Sequence, residues 1–309
     1  VTNELTVLKR DRAVSRDDAI RMLLQQSRRP GRAVPIRRAF VQSAGSGPRI
    51  VTEPGPLHQL VRSGERLELL LLVHCVTSGG DWGVTARAET WARAAGISFR
   101  TDGTASAAVS RHLAKLRELD LVDTAPDGRM TRIFKLFEDG SGDPYTAPPG
   151  KAEGSRRDVY FKVPFDYWEQ GFHESLSVPA KVMLLIYMSM RSRSFELRQD
   201  KKFASWYGIS PSTAGRGIRE LQEKELVYPF LSEQHLDGLA VLGHSTRERW
   251  ALAAPFDLNI NKTDREAAEG LWTVEGVART AARFAAVVPA SPAATQAAPD
   301  AADAADAAP

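Results

Sequence analysis

The chain holds a single cysteine in 309 residues, Cys75, so an intrachain disulfide is excluded. Its six histidines show no metal-binding spacing: there is no H-E-x-x-H and no Cys/His cluster. No G-x-S-x-G elbow and no phosphate-binding loop occurs, and Gly45-Ser46-Gly47 is too short to act as one. Catalysis, a cofactor and a bound metal are therefore not expected. Long apolar runs are also missing. The strongest, Leu67 to Val76, is interrupted by Glu68 and His74 and is too short to span a bilayer. The opening stretch VTNELTVLKRDRAVSRDD lacks the apolar core of a secretory signal. These absences predict a soluble, cytoplasmic chain with no membrane partner, in which Cys75 is a small buried apolar residue.

Charge is unevenly placed. The formal net charge is only +3, yet residues 1–63 carry twelve Lys/Arg against five Asp/Glu, which leaves the remainder net acidic. Prolines and glycines from Pro30 to Pro56 punctuate this segment. Apart from a short helix around Arg16–Gln26, capped by Ser15 with Asp18 in its first turn, it reads as an extended basic arm. A polyanionic partner and a plain solvated leader fit such an arm equally. Within RRPGRAVPIRR, Arg28, Arg29, Arg32, Arg37 and Arg38 are candidates for a non-specific phosphate tether or for minor-groove insertion.

The chain also says nearly the same thing twice. ARAETWARAAGIS, an insertion FRTDGT, and ASAAVSRHLAKLRELDLVD parallel DKKFASWYGIS and PSTAGRGIRELQEKELVY. Gly96-Ile97-Ser98 matches Gly208-Ile209-Ser210. Arg111, Leu113, Leu116, Leu121 and Val122 match Arg216, Ile218, Leu221, Leu226 and Val227 at one constant offset. Each copy reads as a helix, a Gly-containing turn and a second helix, the helix-turn-helix unit that places a helix in the major groove.

In the first copy a buried helix, ERLELLLLVHCVTS, ends at Gly79-Gly80, and Thr85 is positioned to cap the next helix. Val109, Leu113, Leu116 and Leu119 form an amphipathic stripe. Strands around LVDTAP and RMTRIFKLF flank an Asp127-Gly128 turn, which predicts a hairpin. In the second copy the helices are expected at Pro179–Arg193, Asp200–Tyr207 and Pro211–Lys224. LVYPFL and RERWALA are the hairpin strands, joined by the loop SEQHLDGLAVLGHST.

The domain reading is an arm 1–63, a first unit 64–137, a linker 138–157 and a second unit 158–257. A helical segment 258–288 and a disordered Ala/Pro/Asp tail 289–309 complete it. The fold class is α+β, mainly helical.

A groove-reading helix needs small or hydrogen-bonding residues at its N-terminal end and Arg or Lys long enough to reach bases or phosphates. In the second copy Ser210, Ser212 and Thr213 open the helix, with Arg216 and Arg219 on its polar side. In the first, Ser106, Ser110, Arg111 and Lys115 play these parts, with His112 nearby. The hairpins add Arg129 and Arg132, and His244, Thr246, Arg247 and Arg249. Gly215 and Gly217 are unusual inside a helix, and close approach of backbone to DNA is one reason for small residues there. Most charged helix faces are only solvated, and that reading stands beside the first. The aromatics Trp91, Tyr187, Trp206, Tyr207 and Trp250 fit core positions. Tyr160, Phe161, Phe165, Tyr167 and Trp168 cover the first helix of the second unit or form an interdomain or dimer surface.

FASWYGISPSTAGRGIRELQEKELV resembles the winged helix-turn-helix superfamily, in which "GIS", a Ser/Thr-rich helix and L-x-x-K-x-L-V form a frequent phrase. The resemblance covers residues 64–137 and 159–254. It implies that Ser106, Ser110, Arg111, Ser212, Thr213 and Arg216 face DNA. Two such units in one chain look like transcriptional regulators and like plasmid or phage replication initiators. The expected function is sequence-specific binding of double-stranded DNA at the nucleoid to regulate transcription, with a homodimer as an open option. The alternatives are a replication initiator or plasmid-maintenance protein, and a winged-helix protein scaffold in chromosome organisation.

Overall fold

The computed structural model of the chain describes residues 14–44, 52–98, 105–148, 156–190, 192, 194–236, 239 and 244–257. The insertion FRTDGT, Gly45-Ser46-Gly47, the helical segment 258–288 and the tail 289–309 lie outside the described residues.

Helix α1 (Arg16–Ser27) opens as expected. The Ser15 side chain accepts from the Asp18 amide while Asp18 reaches back to the Ser15 backbone, closing a capping box. Its Ile20, Leu23 and Leu24 are buried. Strand β1 (Ala33–Arg37) follows, then the short antiparallel pair β2 (Gln42–Ala44) and β3 (Thr52–Pro54), and helix α2 (Leu57–Leu60). Helix α3 (Gly64–Val76), capped by Ser63, is buried from Leu67 to Val76. Residues 14–44 and 52–63 are thus not an extended arm. Their apolar residues at helical and strand spacing bury in the body, which outweighs the Pro/Gly punctuation.

Four of the five candidate arginines of this segment are accordingly engaged within the fold. Arg29 donates to the carbonyls of His74, Cys75 and Thr77, each at 3.0 Å, and so caps the C-terminal end of α3. Arg32 pairs with Glu169 and Arg38 bonds Gln42. Arg37 is fully buried against Glu138 at 2.9 Å. Only Arg28 among the five is exposed without a partner among the described residues.

Strand β4 (Gly83–Ala86) contains Thr85, which therefore caps nothing. Helix α4 (Ala88–Ala95) starts after Arg87 with no side-chain cap. Helix α5 (Ala105–Glu118) buries Val109, Leu113 and Leu116, and β5 (Val122–Asp127) and β6 (Met130–Lys135) form the hairpin with Gly128 at φ 58°. The sheet is antiparallel in the order β4-β6-β5. Strand β4 was not legible as a strand because GVTA is too short to show alternation.

Strand β7 (Tyr160–Pro164) leads into α6 (Asp166–Glu169), α7 (Phe172–Ser175) and the apolar α8 (Val178–Ser189), capped by Ser177. Helix α9 (Lys201–Tyr207) is capped by Asp200 and α10 (Pro211–Glu223) by Ser210. Strands β8 (Val227–Leu236) and β9 (His244–Leu252) pair over most of their length, so part of the expected loop is strand. No helix among the described residues is long and apolar enough to cross a membrane.

The described residues all belong to one unit, Val1–Asn259, with small antiparallel sheets and helices in separate stretches, an α+β arrangement. Three features join the N-terminal segment and the first copy to the second. Strand β1 pairs antiparallel with β7, Val34 opposite Val163. Glu68 on α3 meets Lys181 on α8 at 2.8 Å, both nearly fully buried, and Tyr167 donates its hydroxyl proton to Glu68 at 2.5 Å. Residues 138–148 and 156–157, expected as linker, are anchored: Glu138 holds Arg37, and Arg157 pairs with Asp139 and Asp143. A Gly- and Pro-rich segment is held here by buried and bidentate charge pairs that no periodicity announces. Of that aromatic cluster Phe161, Phe165, Tyr167 and Trp168 are buried, with Tyr167 reaching Glu68 of α3, and Tyr160 is exposed.

Lys135 is 2 % exposed, donates to the Thr77 carbonyl at 2.7 Å and lies over the rings of Tyr145 and Trp82. Burial, with Arg29 nearby, pushes its pKa down to about 7 from 10.5. Between these values the unfolded chain binds the extra proton, so this residue favours the folded state increasingly as pH rises from about 7 to about 10.5. Urea unfolding at pH 7 and pH 9 should show the parent gaining stability relative to Lys135→Met. Parallel behaviour of the two proteins would mean that the amine stays charged against the rings.

Candidate nucleic-acid interface

The repeated Gly-Ile-Ser turn has one physical cause in both copies. Gly96 and Gly208 adopt φ of 71° and 63°, the left-handed region that ends a helix without a Cβ penalty. The next amides close the motif, Ile97 to the Ala92 carbonyl at 2.8 Å and Ile209 to the Ala204 carbonyl at 3.1 Å. Both isoleucines are buried, so the turn sets how the second helix leaves the first.

Each second helix then faces an open groove. In the first copy it measures about 490 Å³ and lies between the end of β4 and the start of α4 (Ala86 to Glu89, with Trp91), the α5 residues Ser106, Val109, Ser110 and Leu113, and Arg129, Met130, Thr131 and Ile133 of the hairpin. In the second copy the groove is about 480 Å³, between Glu196–Gln199 before α9, Gly215, Ile218, Arg219 and Gln222 of α10, and Arg247, Glu248 and Trp250 of β9. The same three elements build both.

Ser106, Ser110, Arg111 and Arg129 are exposed on or beside the first groove. Two expected members are already engaged: Lys115 pairs with Glu118 at 2.5 Å and Arg132 with Asp81 at 2.8 Å. The Arg132 contact holds the Asp81 carboxyl below its usual range. His112 is half-buried, and burial, then Arg66 and Arg111, lower its pKa, so it is neutral rather than a phosphate-binding cation. Arg87 is exposed at this groove and was missed, since it precedes the helix and belongs to no amphipathic stripe.

In the second copy Ser212, Arg216, Arg219 and Arg247 are exposed. Thr213 is not: it is 9 % exposed, and its hydroxyl meets Ser210 Oγ at 2.8 Å. Ser210 itself accepts from the Thr213 amide as the cap of α10. Helix phase explains this, since position 213 falls on the side occupied by Ala214 and Gly217. Arg249 is half-buried and donates to the Ser194 carbonyl at 2.6 Å, so it supports the hairpin base. Arg198 is engaged by Asp200, whose pKa is lowered to about 2 by that contact and by the Phe203 amide.

Of the two helix glycines, Gly217 serves packing between helices. A Cβ on Gly217 would lie 2.4 Å from the Pro179 carbonyl oxygen and 2.6 Å from Met183 Cγ, so this glycine lets α10 close on α8. A Cβ on Gly215 would lie 2.4 Å from Gln199 Oε1. In an open helix Gly→Ala gains about 1 kcal/mol. At Gly217 the backbone clash should outweigh that by about 1–3 kcal/mol. Gly217→Ala should therefore lower the thermal midpoint, and a rise would show a looser α8–α10 contact.

Comparisons with protein-family models, with curated proteins and with solved structures find no match.

Proposed function

We propose that both copies are winged helix-turn-helix modules and that the chain binds double-stranded DNA sequence-specifically to regulate transcription. One observation carries this reading: each copy sets a solvent-facing helix and a hairpin around one open groove, with exposed arginines at its edges. Among the described residues Arg87, Arg111, Arg129, Arg216, Arg219 and Arg247 are exposed and make no ion pair. In this reading α5 and α10 enter major grooves, and Arg129 and Arg247 on the hairpins touch phosphate or the minor groove. Ser106, Ser110 and Ser212 hydrogen-bond near the helix starts, and the buried Thr213 supports the cap.

Arg111 and Arg216 occupy matching positions, so they are the sharpest test. Changing either to alanine should leave folding intact, since both are exposed and unpaired. If each reaches a base edge, each change costs about 1–3 kcal/mol on the cognate site and relaxes specificity at one position. If each touches only phosphate, binding weakens equally on all sequences. Anisotropy titrations on cognate and random duplexes separate these results. Unchanged binding of Arg216→Ala to both duplexes removes α10 as the reader. Genome-wide mapping of bound sites then tests the role: peaks at promoters support regulation, and one cluster of repeats beside its own gene replaces it with replication initiation.

A further inference from the structure

Away from the grooves, one histidine is buried without a hydrogen bond. His173 on α7 is 1 % exposed, and both its ring nitrogens are buried with no hydrogen-bond partner. Its nearest acidic oxygen, Glu174 Oε1, lies 3.8 Å from Nε2, too far for a hydrogen bond. A buried imidazole left in that state costs stability unless something meets its lone pair. Asp17, in the first turn of α1, brings an exposed carboxylate to the same place. One ligand atom from each of Asp17, His173 and Glu174 lies within 4.8 Å of the other two.

We propose that Asp17, His173 and Glu174 form a binding site for a zinc-type divalent transition ion that ties α1 to α7. One imidazole nitrogen and two carboxylates are a donor set that suits zinc, whereas magnesium favours oxygen ligands alone. The two carboxylates balance the charge of the ion. Zinc with ligands at about 2.0–2.2 Å holds them about 3.4 Å apart in a tetrahedron. Rotation of the exposed Asp17 and Glu174 side chains closes the remaining gap, and the solvent side leaves room for water.

Two cations border the site. Arg16 Nη1 donates to Glu174 Oε1 at 3.1 Å, and Arg16 Nε is held by the Ala94 carbonyl. Lys181 donates to the His173 carbonyl and pairs with Glu68. Arg16 thus orients Glu174 and leaves its second oxygen to the ion, as an outer partner of a metal ligand does. The linear spacing of the histidines gives no hint of this site, because its ligands come from opposite ends of the unit. The inference is independent of DNA binding.

Calorimetric titration of the full-length, metal-free protein with Zn²⁺ tests it. The parent should bind one zinc tightly, and Mg²⁺ should not replace it. Asp17→Asn, at an exposed position with no partner among the described residues, should weaken that site at least tenfold without changing the metal-free thermal midpoint. Zinc should raise the midpoint of the parent and not of Asp17→Asn. His173→Gln should abolish the site. If that variant does not fold, Asp17→Asn and Glu174→Gln decide alone. Tight zinc binding that survives Asp17→Asn and Glu174→Gln, or a parent with no such binding, overturns the proposal.

Discussion

Replacing Glu138 with alanine should destabilise the folded unit by about 3–5 kcal/mol, the usual loss when one partner of a buried ion pair is removed. Arg37 is fully buried and Glu138 is 1 % exposed, with 2.9 Å between Nη1 and Oε2. Glu138 also accepts from the Arg37 backbone amide. Asp158 at 3.5 Å and the Thr146 carbonyl at 2.8 Å would remain, with the faces of Phe137 and Tyr145 around the guanidinium. Arginine cannot shed its proton to escape burial as a lysine does, so the cost falls on folding. Denaturant unfolding measures it. The double change Arg37→Met with Glu138→Leu should recover most of the loss, because apolar replacement of a buried pair is often neutral. A loss below about 1 kcal/mol for the single variant would show that Asp158 and the rings suffice.

DNA affinity should fall by on the order of a thousandfold between 50 and 200 mM salt. Each phosphate neutralised contributes about 0.9 to the slope of log affinity against log salt for duplex DNA. Arg87, Arg129, Arg219 and Arg247 line the two grooves and Arg111 and Arg216 lie on the same helices, all exposed and unpaired, and six contacts give a drop of about that size. Arg29, Arg32 and Arg37 add nothing to this sum, since they are already bonded within the fold. A flat salt response in an anisotropy titration would remove the DNA reading and leave the scaffold. A response that survives loss of the three helix arginines, Arg111, Arg216 and Arg219, would place binding on another surface.

Local signals carried most of the elements. The Ser15 cap with Asp18, the apolar stripe Val109–Leu113–Leu116, Pro211 after Ser210, and Asp127-Gly128 between alternating strands each describe interactions within a few residues. They came out close to the observed bounds. Strand β4 was too short to show a period, and β8 and β9 ran on through polar residues that read as loop. Helix phase was harder at the start of α10, where Thr213 turned inward.

Charge was where the sequence misled. Composition counts arginines without saying what they touch. Arg29 and Arg37 read as free cations because their partners, the α3 carbonyls and Glu138, lie 45 or more residues away. Lys115 and Arg132 have near or cross-strand acidic partners that claim them, whereas Arg111 and Arg216 do not. The two helix glycines likewise gained their meaning only from α8 and Gln199 alongside.

By itself, the sequence determined that two copies of a helix, a glycine turn, a second helix and a hairpin exist, because capping, left-handed glycine and apolar periodicity act over one or two turns. Only the tertiary structure decided that the apolar residues of 14–44 and 52–63 join the core, that α3 and α8 share a buried Glu68–Lys181 pair, and which arginines among the described residues remain exposed and unpaired. Those outcomes depend on burial and on partners distant in the chain, and no local pattern encodes them.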